Sequence, residues 1–465
     1  MLKVRLGHIT KTSARVCLCA DTNGTYDVVV NGVTVSVALD TAVAYGTGLA
    51  DFTGLTVDTS YAYTVTLASV SQASGTLRTA PADDASFYVG FGSCANMDYD
   101  SVALYNLVQN YDIRAFFGLG DLPYVDEGDA TGRWNATTIL PPANDLTNVD
   151  KRYGMFYRHD HERPAWDYLC RRVPFYKMWS DHDCVCNDFD HDLTATNATL
   201  TALSYGTAAD QAAVDAAFDV ARTAFEAFSN GNPDNTSPLA VAYKPSAANA
   251  GTPASQYPPL YFSVDLGSAK FHVIDCISHK SPNAAADSIA VDIEWNATAK
   301  TMLGLPQIRW LKASLAASDK AFNPIFSDMS TTQTATSKRS WETDFKYEFR
   351  YLTKWIFANA RGVVWGTGDN HVPYVVSDGT HVAVNACPIN IGGQDGTSTS
   401  GFTTHTEGEW ADLDWHQRGE ILSPNVVGLI HVTPSHLDWI LLTDSGVELV
   451  RYRQLSNANY ARRIS

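Results

Sequence analysis

The sequence predicts a layered α/β domain preceded by an all-β domain. Three observations carry this expectation. Residues 1 to about 82 hold short runs of Val, Tyr and Thr separated by turns. From residue 85 onward, apolar runs of strand length alternate with helical patterns. Several of those later runs end abruptly in Gly-Asp or in Cys or Asp-His, which places reactive side chains where open α/β sheets put their ligands. A length of 465 residues allows one very large domain or two to three ordinary ones. The boundary is expected at Pro81-Ala82-Asp83-Asp84, giving domains 1–82 and 83–465.

In the first domain, Ala14–Leu18, Tyr26–Val30, Val33–Val37 and Tyr61–Leu67 read as strands. Asn31-Gly32 between two of them is a hairpin signal. The stretch Phe52–Tyr61 followed by Tyr63-Thr64-Val65 resembles the E–F corner of a fibronectin type III or Ig-like sandwich, and Gly75–Pro81 resembles its last strand. Such domains are commonly spacers, and no chemistry is expected here. In the second domain the expected strands are Phe87–Cys94, Ala115–Asp121, Pro174–Asp181, Lys270–Asp275, Pro324–Asp328, Gly362–Asp369 and His381–Cys387. Helical patterns fall near 100–111, 162–172, 207–229, 306–318 and 341–360. Val214, Phe218, Ala221, Phe225 and Phe228 share one face of the third. Thr-, Ala-, Asn- and Pro-rich segments at 126–150, 190–206, 230–257 and 281–300 read as long surface loops.

The strand ends carry the chemistry. They are Gly92-Ser93-Cys94, Gly120-Asp121 with Tyr124 three residues on, Ser180-Asp181-His182-Asp183, and Gly368-Asp369-Asn370-His371. One acid after a strand is commonplace, but several at one sheet edge would meet in space and repel unless cations neutralised them. Carboxylates and a histidine suit Zn, Mn, Fe or Ca. A phenolate such as Tyr124 or a thiolate such as Cys94 can stabilise ferric iron, as tyrosinate does in a haem protein. An aspartate between two cations can bridge them, and paired metals about 3.5–4 Å apart hydrolyse phosphate esters.

Together these motifs resemble the alkaline phosphatase D (PhoD-like) family, a branch of the calcineurin-like metallophosphatases related to purple acid phosphatases. The resemblance also takes in Asn187-Asp188, Leu303-Gly304 and Gln307-Ile308-Arg309-Trp310-Leu311. It implies a layered β-sandwich flanked by helices, with Cys94, Tyr124 and His371 on Fe(3+), Asp121 as bridge, and Asp181, Asp369 and Asn187 on a second cation, Ca(2+) or another divalent ion such as Zn or Mn. His182 would assist the leaving group. The implied activity is hydrolysis of small phosphate esters, monoesters or diesters, by attack of a metal-bound hydroxide. Two departures stand out. Ser180-Asp181 replaces the family's usual pair of aspartates, and Ile277 lies near the place of a frequent arginine, with His279 and Lys280 as possible substitutes. The alternative reading is a secreted or particle-associated binding protein that keeps the fold without turnover.

The bulk properties fit both readings. Hydrophobic residues make up 45% and charged residues only 18%, enough for a large core. A net charge of −17 argues against binding nucleic acid or anionic membranes. No apolar run approaches the ~18 residues of a membrane span. The N-terminal Met1–Leu6 shows neither a signal-peptide core nor twin arginines, although the family is often exported. The eight cysteines, including Cys17-Leu18-Cys19 and Cys184-Val185-Cys186, do not form zinc-ribbon knuckles. Pairing, compartment, oligomeric state and substrate stay open at this point.

Overall fold

The structure, a computed structural model, describes residues 2–42, 44–95, 101–122, 124, 163–184, 211–235, 259–281, 300–331, 340–369, 371, 373–377, 382–387, 389, 420–421, 425–456 and 461–463. Asn187, Cys186, His159, His161, His191 and most of the four long-loop segments lie outside the described residues.

The N-terminal part contains β1 (Leu2–Ile9), β2 (Ser13–Ala20), β3 (Gly24–Val30), β4 (Val33–Leu39), β5 (Thr47–Thr53), β6 (Ser60–Leu67) and β7 (Val70–Arg78). These form a three-stranded sheet, β1-β2-β5, and a four-stranded sheet, β4-β3-β6-β7. Alternating Val, Leu and Tyr side chains from both, such as Val16, Val28, Tyr63 and Val65, share one core. The Asn31-Gly32 hairpin forms as expected: Val30 pairs with Val33, and both turn residues have positive φ, 50° and 78°. The Tyr61 hydroxyl accepts the Thr56 N–H at 2.8 Å across the expected corner. The sandwich is tied to the rest of the chain by Arg114, whose buried guanidinium donates to Asp58 Oδ1 at 2.6 Å and to the Thr79 carbonyl at 2.5 Å. The Tyr176 hydroxyl, accepting the Ile9 N–H at 3.3 Å, is a second tie.

The remaining elements are β8 (Phe87–Gly92), α1 (Val102–Asn110), β9 (Ile113–Leu119), α2 (Pro164–Cys170), β10 (Phe175–Met178), α3 (Asp181–Cys184), α4 (Gln211–Phe228), β11 (Phe262–Leu266), β12 (Ala269–Val273), α5 (Gly304–Ala316) and β13 (Ile325–Ser327). They continue with α6 (Trp341–Asp344), α7 (Lys346–Asn359), β14 (Trp365–Thr367), β15 (Tyr374–Ser377), β16 (Val382–Asn385), β17 (Glu420–Ile421), β18 (Val426–Val432), β19 (His436–Thr443), β20 (Glu448–Leu455) and β21 (Ala461–Arg463). Two seven-stranded mixed sheets result, β10-β9-β8-β18-β19-β20-β21 and β11-β12-β13-β14-β16-β15-β17. Their inner faces meet through stacked aromatic rings. Phe117 of the first sheet lies 4.8 Å from Phe326 and 5.2 Å from Phe271 of the second, and Phe91 lies 5.4 Å from Phe326. Helices cover the outer faces. Leu104, Leu107, Trp166 and Leu169 of α1 and α2 pack on the first sheet. Trp310, Trp341, Phe349 and Ile356 of α5, α6 and α7 pack on the second.

The expected strands all form, but they stop short of their expected ends: β8 at Gly92, β9 at Leu119 and β14 at Thr367. The next residues leave extended geometry, so Cys94, Asp121 and Asp369 turn away from the ladder with φ near +60°. The helical pattern at 341–360 breaks at Phe345 into α6 and α7. The antiparallel run β18–β20 was not anticipated at all. On α4, Phe218, Ala221, Phe225 and Phe228 are buried as predicted, and Trp179 packs on Phe218 and Phe225. The seven described cysteines are buried and form no disulfide with one another. Among the described residues, no helix is long and apolar enough to cross a membrane.

Glu348 of α7 reaches across to the first turn of α5. Its carboxylate accepts the Met302 N–H at 3.0 Å, the Leu303 N–H at 3.2 Å and the Thr301 hydroxyl. These donors precede a helix start and would otherwise be unsatisfied. Burial nevertheless pushes the Glu348 carboxyl up to about 7. An acid raised in the folded state keeps its proton while the unfolded chain ionises, so its contribution falls as pH rises from about 4.5 to 7. Thermal or denaturant unfolding should show Glu348→Gln gaining about 3 kcal/mol on the wild type across that window. Parallel pH profiles for the two proteins would contradict this.

Candidate active site

The carboxyl ends of the two sheets meet along one seam. On the first sheet, β10, β9 and β8 are parallel neighbours that deliver Asp181, Asp121 and Cys94. On the second, β14 and β16 are parallel and deliver Asp369, His371 and Cys387. Ser93 joins the edges. Its N–H donates to the Ala386 carbonyl at 3.3 Å, its carbonyl accepts the Ile389 N–H at 2.9 Å, and its hydroxyl accepts the Asp369 N–H at 3.3 Å.

Four of the nine non-glycine residues with positive φ among those described are Cys94 (57°), Asp121 (55°), Asp369 (65°) and His371 (51°). Left-handed backbone costs roughly 1–2 kcal/mol per residue, so its concentration at one seam indicates a functional constraint. Gly120, at φ 88°, makes a close approach there. A Cβ there would come within 2.5 Å of the Ser180 Cβ. Asp183 locks the same corner, accepting the Leu122 N–H at 3.3 Å and the Ser180 N–H at 3.2 Å. The ends of β9 and β10 are therefore held together by the Asp183 carboxylate.

Two groups of potential metal donors lie side by side. In one, ligand atoms of Cys94, His371 and Cys387 fall within 4.8 Å of one another; in the other, those of Asp121, Asp181 and His182 do. Tyr124 connects them. Its hydroxyl is 2.9 Å from His371 Nε2 and 3.5 Å from Asp121 Oδ2, and its ring centroid is 4.3 Å from that of His182. The Cys94 thiol donates to Asp121 Oδ2 at 3.2 Å. Asp181 Oδ1 accepts the His182 N–H at 2.9 Å. Seven of the eight site residues read from sequence are therefore gathered at this seam; Asn187 is outside the described residues.

Asp121 is fully buried, and its Oδ1 accepts no hydrogen bond among the described residues. Burial, with the neighbouring acidic groups adding to it, pushes Asp121, Cys94 and Tyr124 well above their ordinary ranges. Two like charges 4 Å apart repel by about 4 kcal/mol even at an effective dielectric of 20. Ionising this set without cations is costly, and bound cations reverse the balance. The donors fit that role. Thiol, phenol and imidazole on one side suit a ferric ion, and carboxylates on the other suit a hard divalent ion.

Sequence reasoning missed two residues here. Cys387 ends an expected strand and completes the thiol-bearing group. Asp328 ends another. Burial pushes it up to about 8, with the Cys276 thiol opposing and the charges of Asp275, Asp369 and Asp181 adding. The rule that found Asp121 would have found both. At the position where an arginine was sought, Ile277 is a buried core residue. Burial drives His279 down to about 4, which leaves it uncharged near neutrality. Lys280 is buried in the same loop, and a second cation enters this corner from α4, where buried Arg222 donates to Ser278 Oγ at 2.7 Å.

Two mixed sheets packed face to face under outer helices, with a metal-donor set at their joined edges, define a metallophosphatase fold. The sequence model of the PhoD-like phosphatases matches residues 88–387, well over half of the chain. The chain belongs to the PhoD-like phosphatase family and is a phosphoric ester hydrolase. A solved structure of PhoD aligns over 100% of this chain and 91% of that one, with a TM-score of 0.70 at 15% identity. The structure of purple acid phosphatase PPD1 from yellow lupin (Lupinus luteus) seeds aligns over 97% of this chain and 73% of that one, with a TM-score of 0.54 at 12% identity. At these identities the likeness concerns the fold. A search of curated proteins finds no significant match by sequence.

Replacing Gly120 by Ala forces a side chain onto Ser180 from a left-handed position. Calorimetry should show a loss of about 1–3 kcal/mol, with bound metal reduced in parallel. Unchanged stability and metal content would show that this approach does not shape the site.

Proposed function

We propose that the chain hydrolyses small phosphate esters, as an alkaline phosphatase, a phosphodiesterase or both, at the seam between its two sheets. The single observation that supports this most strongly is Asp121. It is a fully buried carboxylate with one oxygen unpartnered among the described residues, and it belongs to the carboxylate–imidazole group while accepting the Cys94 thiol of the neighbouring thiol–imidazole group. In this reading Cys94, Tyr124 and His371 hold a ferric ion with Cys387 beside them, Asp121 bridges, and Asp181, Asp369 and Asn187 hold a divalent cation, calcium, manganese or zinc. Bound there, the cations would polarise a phosphoryl oxygen, lower the pKa of water and balance the charge that builds up on phosphorus.

The chain's own residues orient and exclude. Asp121 fixes the two seats relative to each other, and the left-handed backbone at Asp369 and His371 turns both side chains off one strand end. Asp183 holds the β9 and β10 ends in register without entering the chemistry. His182 lies in the first turn of α3, next to Tyr124, and protonates the leaving oxygen from its imidazole.

Two variants test the assignment. Asp121→Asn should lose both metals by elemental analysis, and turnover should fall by roughly 10²–10³-fold or more. Full metal content and turnover in that variant would remove Asp121 from the centre. His182→Ala should slow alkyl phosphates, whose leaving groups need a proton, by about 10²–10⁴-fold, and p-nitrophenyl phosphate far less. Equal losses on both substrates would deny His182 the role of proton donor.

A further inference from the structure

The N-terminal sandwich and the outer side of the first sheet enclose a cavity of about 640 Å³, and none of the seam's metal donors lines it. Small-molecule sites span roughly 300–1,000 Å³ and favour domain boundaries. β7 forms one wall, and the start of β9 together with α2 and the residues after it forms the other. The walls are fixed to each other. The Tyr63 hydroxyl donates to the Arg171 carbonyl at 3.2 Å, and Arg78 donates to Asp112 Oδ1 at 3.1 Å. The charged side chains of the lining are Arg78, Arg114, Arg171, Arg172, Asp112 and Asp167. This is a net positive surface in a chain of net charge −17, and a concave wall concentrates such a field.

Three of the four arginines are engaged with acids. Arg114 binds Asp58 and the Thr79 carbonyl, Arg78 binds Asp58 and Asp112, and Arg171 binds Asp167 at 2.9 Å. Arg172 is different. Its guanidinium carbon lies 3.8 Å from the centre of the Tyr168 ring, it donates to the Tyr168 carbonyl at 3.2 Å, and it takes no carboxylate partner among the described residues. Held against a ring, the planar fork loses little freedom when it closes on an anion. β7 is the outermost strand of its sheet, so outward backbone N–H groups between Ser74 and Arg78 have no ladder partner and add donors to the same wall.

We propose that this cavity binds a phosphoryl group, with Arg172 as its anchor and Arg78 and Arg171 completing the positive wall. The arginine fork matches two phosphate oxygens at once, whereas lysine, absent from the lining, would offer only a point charge. The volume leaves room for an organic group behind the phosphate, so the ligand is free phosphate or a phosphorylated small molecule. No metal is involved, and the two-cation reading of the seam is not at stake.

Equilibrium dialysis of the full, metal-loaded chain against labelled inorganic phosphate tests this. The wild type should bind phosphate at a site that persists in Asp121→Asn. Arg172→Gln, and separately Thr76→Glu, which puts an acid on the exposed wall, should each weaken that site about 10–100-fold. Turnover of p-nitrophenyl phosphate and melting temperature should stay at wild-type values in both, because both side chains are exposed and lie outside the seam. Phenylphosphonate, whose carbon–phosphorus bond resists ester hydrolysis, separates the two sources: tighter binding than phosphate identifies a phosphorylated organic ligand, and weaker binding identifies free phosphate. Phosphate binding that is unchanged in both cavity variants, or that chloride at equal concentration displaces, overturns the site. If Asp121→Asn keeps its metals, the metal reading fails, and the Arg172 and Thr76 variants still decide the cavity.

Discussion

The contact on which the rest depends is the ring stack between the two sheets. Phe117, Phe271 and Phe326 lie within 6 Å of one another in centroid distance, and Phe91 closes the group against Phe326 and Trp439. Gly428 makes room for it, since a Cβ there would sit 2.3 Å from the Phe91 ring. Burying four such rings is worth several kcal/mol. More to the point, it fixes how far apart the two sheets stand and which ends align. The seam that carries Cys94 and Asp121 opposite Asp369 and Cys387 is a consequence of that spacing. A one-residue slip of either sheet would shift its donors by about 3.3 Å, enough to pull them out of a shared site.

The seam itself works against stability. It gathers acids, thiols and a phenol out of water, and it places four non-glycine residues in left-handed backbone. The compensation lies around it: the Ser93 bonds that sew the edges, the Asp183 carboxylate that braces two strand ends, and the helices that close the outer faces. Such a site holds together because its surroundings over-determine it. The raised Asp121, Cys94 and Tyr124 describe a cluster that resists ionisation until positive charge arrives, and the proposed cations answer that need.

Much of this was legible in the sequence, because strand and site share one signal. An apolar run that stops at Gly-Asp or Ser-Asp marks both a buried strand and the side chain delivered at its end, and that pattern located Asp121, Asp181 and Asp369. What it did not reveal has physical causes. Asp328 and Cys387 sat at the ends of recognised strands, but nothing local distinguishes a strand-end side chain that enters the site from one committed to the fold, as Asp275 Oδ1 is to Trp179 and to two backbone N–H groups. That difference is tertiary. Arg222 was out of reach for the same reason, since its helix lies some fifty residues from the corner it enters. The hairpin β18–β19 was legible in principle. Thr433-Pro434-Ser435 punctuates two apolar runs, but a chain read for βα alternation passes over antiparallel strands added at its end.

The central claim is that the joined sheet edges hold two cations bridged by Asp121. Anomalous diffraction from crystals of the metal-loaded protein, recorded on both sides of the iron edge, tests it most directly. The account predicts an iron peak within bonding distance of Cys94, Tyr124, His371 and Asp121, with a second cation about 3.5–4 Å away on the side of Asp181 and Asp369. A single peak, or metal bound elsewhere with the seam empty, would contradict it.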